Sequence, residues 1–102
     1  MIASVAQLQR MEITHNIAEQ RFECRQGGDL AVCEYLREGS VWDLHHTFVP
    51  AGLRGTGVAG ALAKAALEHV KQQGGAVRPS CSYIATYIKR HPQYAELVVP
   101  GE

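Results

Sequence analysis

The chain has 102 residues, of which 46% are hydrophobic and 20% are charged, an ordinary composition for one compact domain. Ten basic residues balance ten acidic ones, so the overall charge favours neither nucleic acid nor a membrane surface as a partner. No apolar run approaches the roughly 20 residues of a membrane span, no secretory signal is visible, and three unpaired cysteines are typical of a reducing compartment. We therefore expect a cytoplasmic protein.

Residues 1–10 are predicted to form a flexible tail, and residues 11–100 a single domain. Alternation of apolar and polar side chains predicts four strands, at residues 11–17, 21–25, 30–36 and 41–49. Glycine-containing turns at residues 26–29 and 37–40 join the last three strands as hairpins. The first half of the domain is therefore predicted to be an antiparallel meander.

The pattern changes after Pro50. Apolar residues at three- and four-residue spacing predict an amphipathic helix over residues 57–73, which ends at a pair of glycines. A fifth strand over 76–82, a helix over 83–90 and a short final helix from Pro92 are predicted next. Because the first helix is a crossover, strands four and five should run parallel. The predicted fold is α+β, a mixed and mainly antiparallel five-stranded sheet with a crossover helix and short C-terminal helices.

A glycine-rich loop joins the fourth strand to the crossover helix. Gly55, Gly57 and Gly60 satisfy the G-x-G-x-x-G dinucleotide fingerprint, but a meander precedes them and the fifth strand has no acidic residue for a ribose. A nucleoside-triphosphate loop is excluded, because Ala61 and Leu62 stand where Lys and Ser or Thr would be required. The free N–H groups and the dipole at the helix start still favour an anionic ligand such as a phosphate.

The loop sequence Arg54-Gly55-Thr56-Gly57-Val58-Ala59 resembles the acetyl-coenzyme A (acetyl-CoA) pyrophosphate loop of the GNAT superfamily of N-acetyltransferases. Three further segments add to the likeness: His46-Thr47-Phe48-Val49-Pro50, Pro79-Ser80-Cys81-Ser82-Tyr83, and Arg90-His91-Pro92 with Tyr94. The resemblance runs from about residue 11 to residue 98 and indicates a small, single-domain member. It implies a minimal GNAT-like fold and an enzyme that transfers acetyl from acetyl-CoA to an amine.

The resemblance also implies how acetyl-CoA would bind. N–H groups of residues 55–59 would hold the pyrophosphate, with Arg54 adding a charge-assisted contact. Strands four and five splay apart in this fold, so backbone groups near Phe48 and Val49 would pair with the pantetheine amides like an added strand. The predicted cofactor-binding residues are Phe48, Val49, Arg54, Gly55, Thr56, Gly57, Val58 and Ala59. The alternative is that the glycines only shape a turn and allow close helix packing.

Cys81 matches the cysteine of the family's Pro-x-Cys segment and would lie beside the thioester. It could accept the acetyl group covalently, or it could line the site without reacting. Packing in the core is the more common fate of a free cysteine. We expect that fate for Cys24 and Cys33, which lie too far apart for the usual closely spaced zinc ligands, and no metal site is predicted.

His46 is the predicted general base, because it matches the family's His-Thr pair and histidine titrates near neutral pH. Asp43 is a weaker candidate. Strict alternation would place His46 with Trp42, Leu44 and Phe48 on one strand face, and burial there is the alternative.

Tyr83 and Tyr87 are four residues apart and share a helix face. In larger GNAT enzymes, a tyrosine on the helix after the fifth strand often protonates the leaving coenzyme A thiolate, and either residue could act in this way. Aromatic packing is the alternative for both.

Only residues 17–20 link the first two strands, where larger GNAT enzymes place helices that wall the acceptor site. The acceptor therefore stays open among a small amine, a protein lysine and an N-terminus, and no feature of the sequence marks an oligomer interface. Two functions follow from the sequence. One is an N-acetyltransferase, and the other is a coenzyme A-binding or partner-binding module with little or no catalysis.

Overall fold

A computed structural model describes residues 11–101, so the predicted tail at residues 1–10 lies outside the described residues. One five-stranded sheet is present, built in chain order from β1 (Thr14–Asn16), β2 (Arg21–Gln26), β3 (Asp29–Glu38), β4 (Val41–Phe48) and β5 (Ala76–Arg78). Neighbouring strands are antiparallel from β1 to β4, and β5 runs parallel to β4. The predicted meander and the parallel fifth strand are confirmed.

Helix α1 (Val58–Gln72) is the crossover between β4 and β5, and α2 (Ser82–Arg90) follows β5. The end of α1 is closed by Gly74 at φ 69°, while the N–H of Gly75 donates to the carbonyl of Val70 at 3.0 Å. This is a Schellman-type cap, which needs a residue that accepts positive φ. The glycine pair therefore ends the helix as its sequence predicts.

Two elements are shorter than predicted. β1 covers only Thr14–Asn16, and β5 ends at Arg78 because the next residue, Pro79, has no N–H to donate to a strand ladder.

The final helix is a 3₁₀ helix, Pro92–Leu97, after which Val99 donates its N–H to the carbonyl of Val77 at 3.0 Å. The C-terminal segment therefore runs along the outer edge of β5.

The helices and one face of the sheet share a single apolar core. Its fully buried members include Cys24, Cys33, Trp42 and Leu44 from the strands, Leu62, Ala66, Leu67 and Val70 from α1, and Ile84 from α2. Each buried aliphatic side chain contributes about 1.5–3 kcal/mol. The predicted core packing of Cys24 and Cys33 is confirmed, and all three cysteines are free thiols.

A β-bulge interrupts the pairing of β3 with β4. Glu34 pairs with His46 and Tyr35 pairs with Leu44, so that His45 is an extra residue without a partner opposite it. An extra residue of this kind inverts the alternation of every side chain that follows it on the strand.

The inversion decides which side chains of β4 face the helices. Trp42 is in the core, whereas His46 and Phe48 point to the opposite face, which we call the exposed face (Glu34, Leu36, His46 and Phe48). Thr47 takes the core side and lies opposite Cys33. The prediction that His46 and Phe48 share the face of Trp42 is wrong, because strict alternation does not allow for a bulge.

Candidate active site

The loop before α1 has the backbone geometry of an anion site. Gly55 has φ 81° and Gly57, the N-cap of the helix, has φ 87°, a conformation that glycine adopts most readily. The first bond of the helix runs from the N–H of Ala61 to the carbonyl of Gly57 at 3.1 Å, so the N–H groups of residues 58–60 have no acceptor within the helix. The first turn has no acidic residue, and the helix dipole therefore favours an external anion.

Two polar side chains brace this loop from within. The backbone N–H and the hydroxyl of Thr56 both donate to the carbonyl of Leu53, at 3.3 and 2.5 Å. Arg54 donates its Nε to the carbonyl of Val49 at 3.2 Å, and its side chain is exposed. The N–H of Thr56 and the carbonyl of Val49, both predicted to contact the cofactor, are therefore already hydrogen-bonded within the protein.

A cavity of about 290 Å³ lies against the loop. Its lining consists of Val49, Leu53, Arg54, Gly55, Gly57, Val58, Ala59, Gly60 and Tyr83. The structure thus brings together most of the predicted cofactor-binding residues and adds Leu53. The side chain of Phe48 is 47% exposed on the exposed face.

Cys81 lies where β4 and β5 part. The paired residues of the two strands end at Asp43 and Arg78, and the N–H of Cys81 then donates to the carbonyl of Leu44 at 2.9 Å. Cys81 is the N-cap of α2, and its half-buried thiol lies 3.6 Å from the hydroxyl of Thr47. The Cys81 thiol therefore lies at the start of α2, beside the gap between the two strands.

The two tyrosines of α2 have different surroundings. Tyr83 lines the cavity, and burial raises the pKa of its phenol against the opposing effect of Arg90. Tyr87 stacks on His91 with ring centroids 3.9 Å apart, in a packed aromatic row. Burial also raises the pKa of Tyr87, so lining of the cavity is what distinguishes Tyr83 from Tyr87.

His46 is exposed, so the alternative of a buried histidine is wrong. Its position on the exposed face separates its ring from the Cys81 thiol, which lies on the core side with Thr47. Asp43, the weaker candidate for a base, has one buried carboxylate oxygen without a hydrogen-bond partner among residues 11–101.

Sequence reasoning missed Thr47 and Leu53. Thr47 belongs to the family's His-Thr pair, but its contact with Cys81 had no signal in the sequence because it depends on the bulge at His45. Leu53 could have been found, since an apolar residue just before a glycine loop is a natural wall for it.

Two kinds of feature are absent from residues 11–101. No group of three or more His, Cys, Asp or Glu side chains is arranged to hold a metal ion. Nor does any helix in that range combine the length and apolarity needed to cross a membrane.

A sheet that opens between its fourth and fifth strands, beside a glycine loop at a helix N-terminus, defines the class of protein as an N-acetyltransferase fold. The family model described as GCN5-related N-acetyl-transferase matches residues 21–97, so the chain belongs to that family. The predicted membership of the GNAT superfamily, and with it the acetyltransferase class, is confirmed.

Relatives of known name support this assignment. Protein NATD1 of Gallus gallus is 38% identical over 95 residues, which cover 88% of this chain and 86% of the relative. Protein NATD1 of Homo sapiens is also 38% identical over 95 residues, with 88% and 84% covered. The solution NMR structure of a GCN5-like protein from Staphylococcus aureus superposes with a TM-score of 0.70 at 26% identity, covering 89% of this chain and 90% of that one.

Proposed function

We propose that the protein binds acetyl-CoA between β4 and β5 and transfers the acetyl group to an amine, with Cys81 as the acyl carrier. One observation carries the proposal. The anion-attracting loop and Tyr83 line one cavity, and Cys81, two residues before Tyr83, caps the same helix where β4 and β5 part. A ligand with a pyrophosphate at one end and a thioester at the other fits that arrangement.

The pyrophosphate would accept hydrogen bonds from the N–H groups of residues 57–60. Thr56 would contribute little, because its N–H is engaged with Leu53. Arg54 commits only its Nε to the loop, and a guanidinium has further donors for a phosphate. The pantetheine arm would run from this loop along the free edge of β4 towards Cys81.

The chemistry would proceed in two balanced steps. The Cys81 thiolate attacks the thioester carbonyl, a bond to Cys81 forms as the bond to coenzyme A breaks, and the leaving thiolate takes a proton from Tyr83. A neutral amine then attacks the acyl-cysteine, the amide forms, and Cys81 leaves as a thiolate. The Tyr83 phenolate left by the first step would take the proton that the amine loses, which restores both Tyr83 and Cys81.

The surroundings of the exposed face support an acceptor carried by a polypeptide. A tight turn, closed by the N–H of Gln20 on the carbonyl of Ile17 at 3.1 Å, is all that joins β1 to β2. Leu36 and Phe48 are also 55% and 47% exposed on this face. An open surface suits the lysine or N-terminus of a protein better than it suits a small amine, which needs an enclosing pocket.

The test is intact-mass analysis after incubation with acetyl-CoA, combined with release of free thiol over a panel of amines and peptides. The wild-type protein should gain one hydroxylamine-labile acetyl group, and Cys81→Ala should gain none. Ser82→Ala is the matched control, because Ser82 is an exposed neighbour on the same helix turn. Its acetylation should equal that of the wild type.

Two results would count against the proposal in different ways. Undiminished acceptor-dependent thiol release by Cys81→Ala would show that the amine attacks acetyl-CoA directly. Thermal stabilisation by coenzyme A without any thiol release would favour the binding module. A ligand at about 100 times its Kd stabilises by about 2.7 kcal/mol, so the absence of any thermal shift would contradict both functions.

A further inference from the structure

One hydroxyl group lies between two thiols at the candidate active site. The Thr47 hydroxyl is 3.6 Å from the Cys81 sulfur, and it also hydrogen-bonds with the side chain of Cys33, its partner across β3 and β4. Cys33 is 0% exposed, and burial raises its pKa to about 11 while the bond from Thr47 opposes that rise. Because the Thr47 oxygen accepts from the Cys81 S–H, its own proton is free to point to Cys33 across the strand pair.

A threonine hydroxyl has a single proton to donate. While Cys81 is a thiol, its S–H donates to Thr47, and Thr47 donates to Cys33. A Cys81 thiolate has no proton, so the Thr47 hydroxyl can satisfy it only by turning its own proton towards it. Cys33 then loses a neutral bond, while Cys81 gains a charge-assisted one, which is roughly twice as strong.

We infer that Thr47 is a positioning residue that stabilises the thiolate of Cys81 by turning its hydroxyl proton from Cys33 to Cys81. The inference rests on the proposed function for the use of that thiolate as an acyl carrier. The bulge at His45 makes the contact, because regular alternation would have turned Thr47 to the exposed face. Within residues 11–101, the titratable groups near Cys81 include Cys33 from β3 and Tyr83 from α2.

The test is the pH profile of alkylation of Cys81 by iodoacetamide, in the folded protein without coenzyme A. Thr47→Val removes the hydroxyl and keeps the shape, and Thr47→Ser keeps the hydroxyl. The Thr47→Val profile should move to higher pH by about one unit, which makes alkylation near neutral pH roughly tenfold slower. Thr47→Ser should follow the wild type. Cys81→Ala supplies the blank, since Cys24 and Cys33 are buried.

Coincident profiles for the wild type and Thr47→Val would overturn the inference. A Thr47→Ser profile displaced as far as that of Thr47→Val would also overturn it, because the lost contact would then be the methyl group. Should Thr47→Val lose its near-ultraviolet circular dichroism, Thr47→Ala takes its place against Thr47→Ser. The proposed function fails separately, as an absence of acetyl-Cys81, because alkylation does not involve acetyl-CoA.

Discussion

The two ends of the sheet differ in how far their polar groups are satisfied. At the packed end (His15, Phe22, Tyr35 and His69), the His15 ring stacks on Phe22 at 4.2 Å between centroids, and its Nε2 lies 2.6 Å from the Tyr35 hydroxyl. The His69 ring meets that of His15 edge-on, with centroids 4.5 Å apart. Side chains of three strands and α1 thus close this end by contacting one another.

The loop end (residues 54–60 and Cys81) has the opposite character. The N–H groups of residues 58–60 have no acceptor within helix α1. Gly55 and Gly57 have positive φ, and the Cys81 thiol is half-buried. Backbone donors left without acceptors are costly unless water or a ligand serves them. The comparison teaches that one end of the sheet maintains the fold while the other is kept incomplete for a ligand.

The largest expected effect is at the core side of β4. Trp42 is 1% exposed, meets His69 edge-on and lies under the Arg37 guanidinium, 4.1 Å from its ring centroid. Trp42→Ala should lower the free energy of unfolding by about 3–5 kcal/mol, because it removes a large buried ring and leaves a cavity. Urea denaturation measures the change.

The matched control for Trp42→Ala lies on the exposed face. Leu36 is 55% exposed, and Leu36→Ala should change the free energy of unfolding by only about 0.5 kcal/mol or less. If Trp42→Ala and Leu36→Ala lost equal free energy of unfolding, a partner would have to cover the exposed face, and the contrast between the two faces would be wrong.

Local chemistry made most of the fold predictable. Turn residues, the switch from alternation to helical spacing at Pro50, and the glycines after α1 each determine an element through its own sequence. The bulge at His45 is different, because a single extra residue depends on how β3 and β4 pair and has no local signal. The faces of His46 and Thr47 were therefore beyond sequence reasoning.

The candidate site, like the fold, could be predicted only where the local sequence determines it. Loop residues 54–59 were predicted from glycine chemistry and from the family resemblance, and all of them except Thr56 line the cavity. The division between Tyr83 and Tyr87 could not be predicted, since both lie on one helix face and only the packing of His91 against Tyr87 separates them. Helical spacing specifies a face, whereas tertiary contacts decide which residue of that face reaches the site.

The second-largest expected effect is a loss of coenzyme A affinity at the loop end. Ala59 is half-buried in the first turn of α1 and lines the cavity. In Ala59→Glu, the new charge complements the helix dipole, which stabilises the fold by about 0.3–1 kcal/mol. The same charge would repel the pyrophosphate, so the Kd for coenzyme A should rise about tenfold or more. Calorimetric titration and thermal unfolding measure the two effects.

Ala59→Gln is the control for side-chain size, and it should weaken coenzyme A binding less than Ala59→Glu does. The difference between the two variants should shrink as salt is added, because screening reduces the repulsion. A loss of affinity that is equal in both variants would indicate crowding, and unchanged affinity in Ala59→Glu would place the pyrophosphate elsewhere.

The smallest expected effect concerns pH and the packed end. Burial lowers the pKa of His15 below its ordinary value of 6.5, and the charge of nearby His69 lowers it further. As the pH falls below about 6.5, the unfolded chain binds a proton at this residue before the folded protein does, so stability declines with acidification. The urea midpoint should therefore be lower at about pH 5.5 than at about pH 7.5.

His15→Gln assigns that decline to His15. Glutamine can still hydrogen-bond with the Tyr35 hydroxyl but does not titrate, so the urea midpoint of the variant should depend less steeply on pH. The histidines that do not contact His15 are the same in both proteins and contribute equally to both pH dependences. If the urea midpoint depended on pH equally steeply in the wild type and in His15→Gln, protonation of His15 would not destabilise the fold. The packed end would then tolerate a charge as readily as the loop end does.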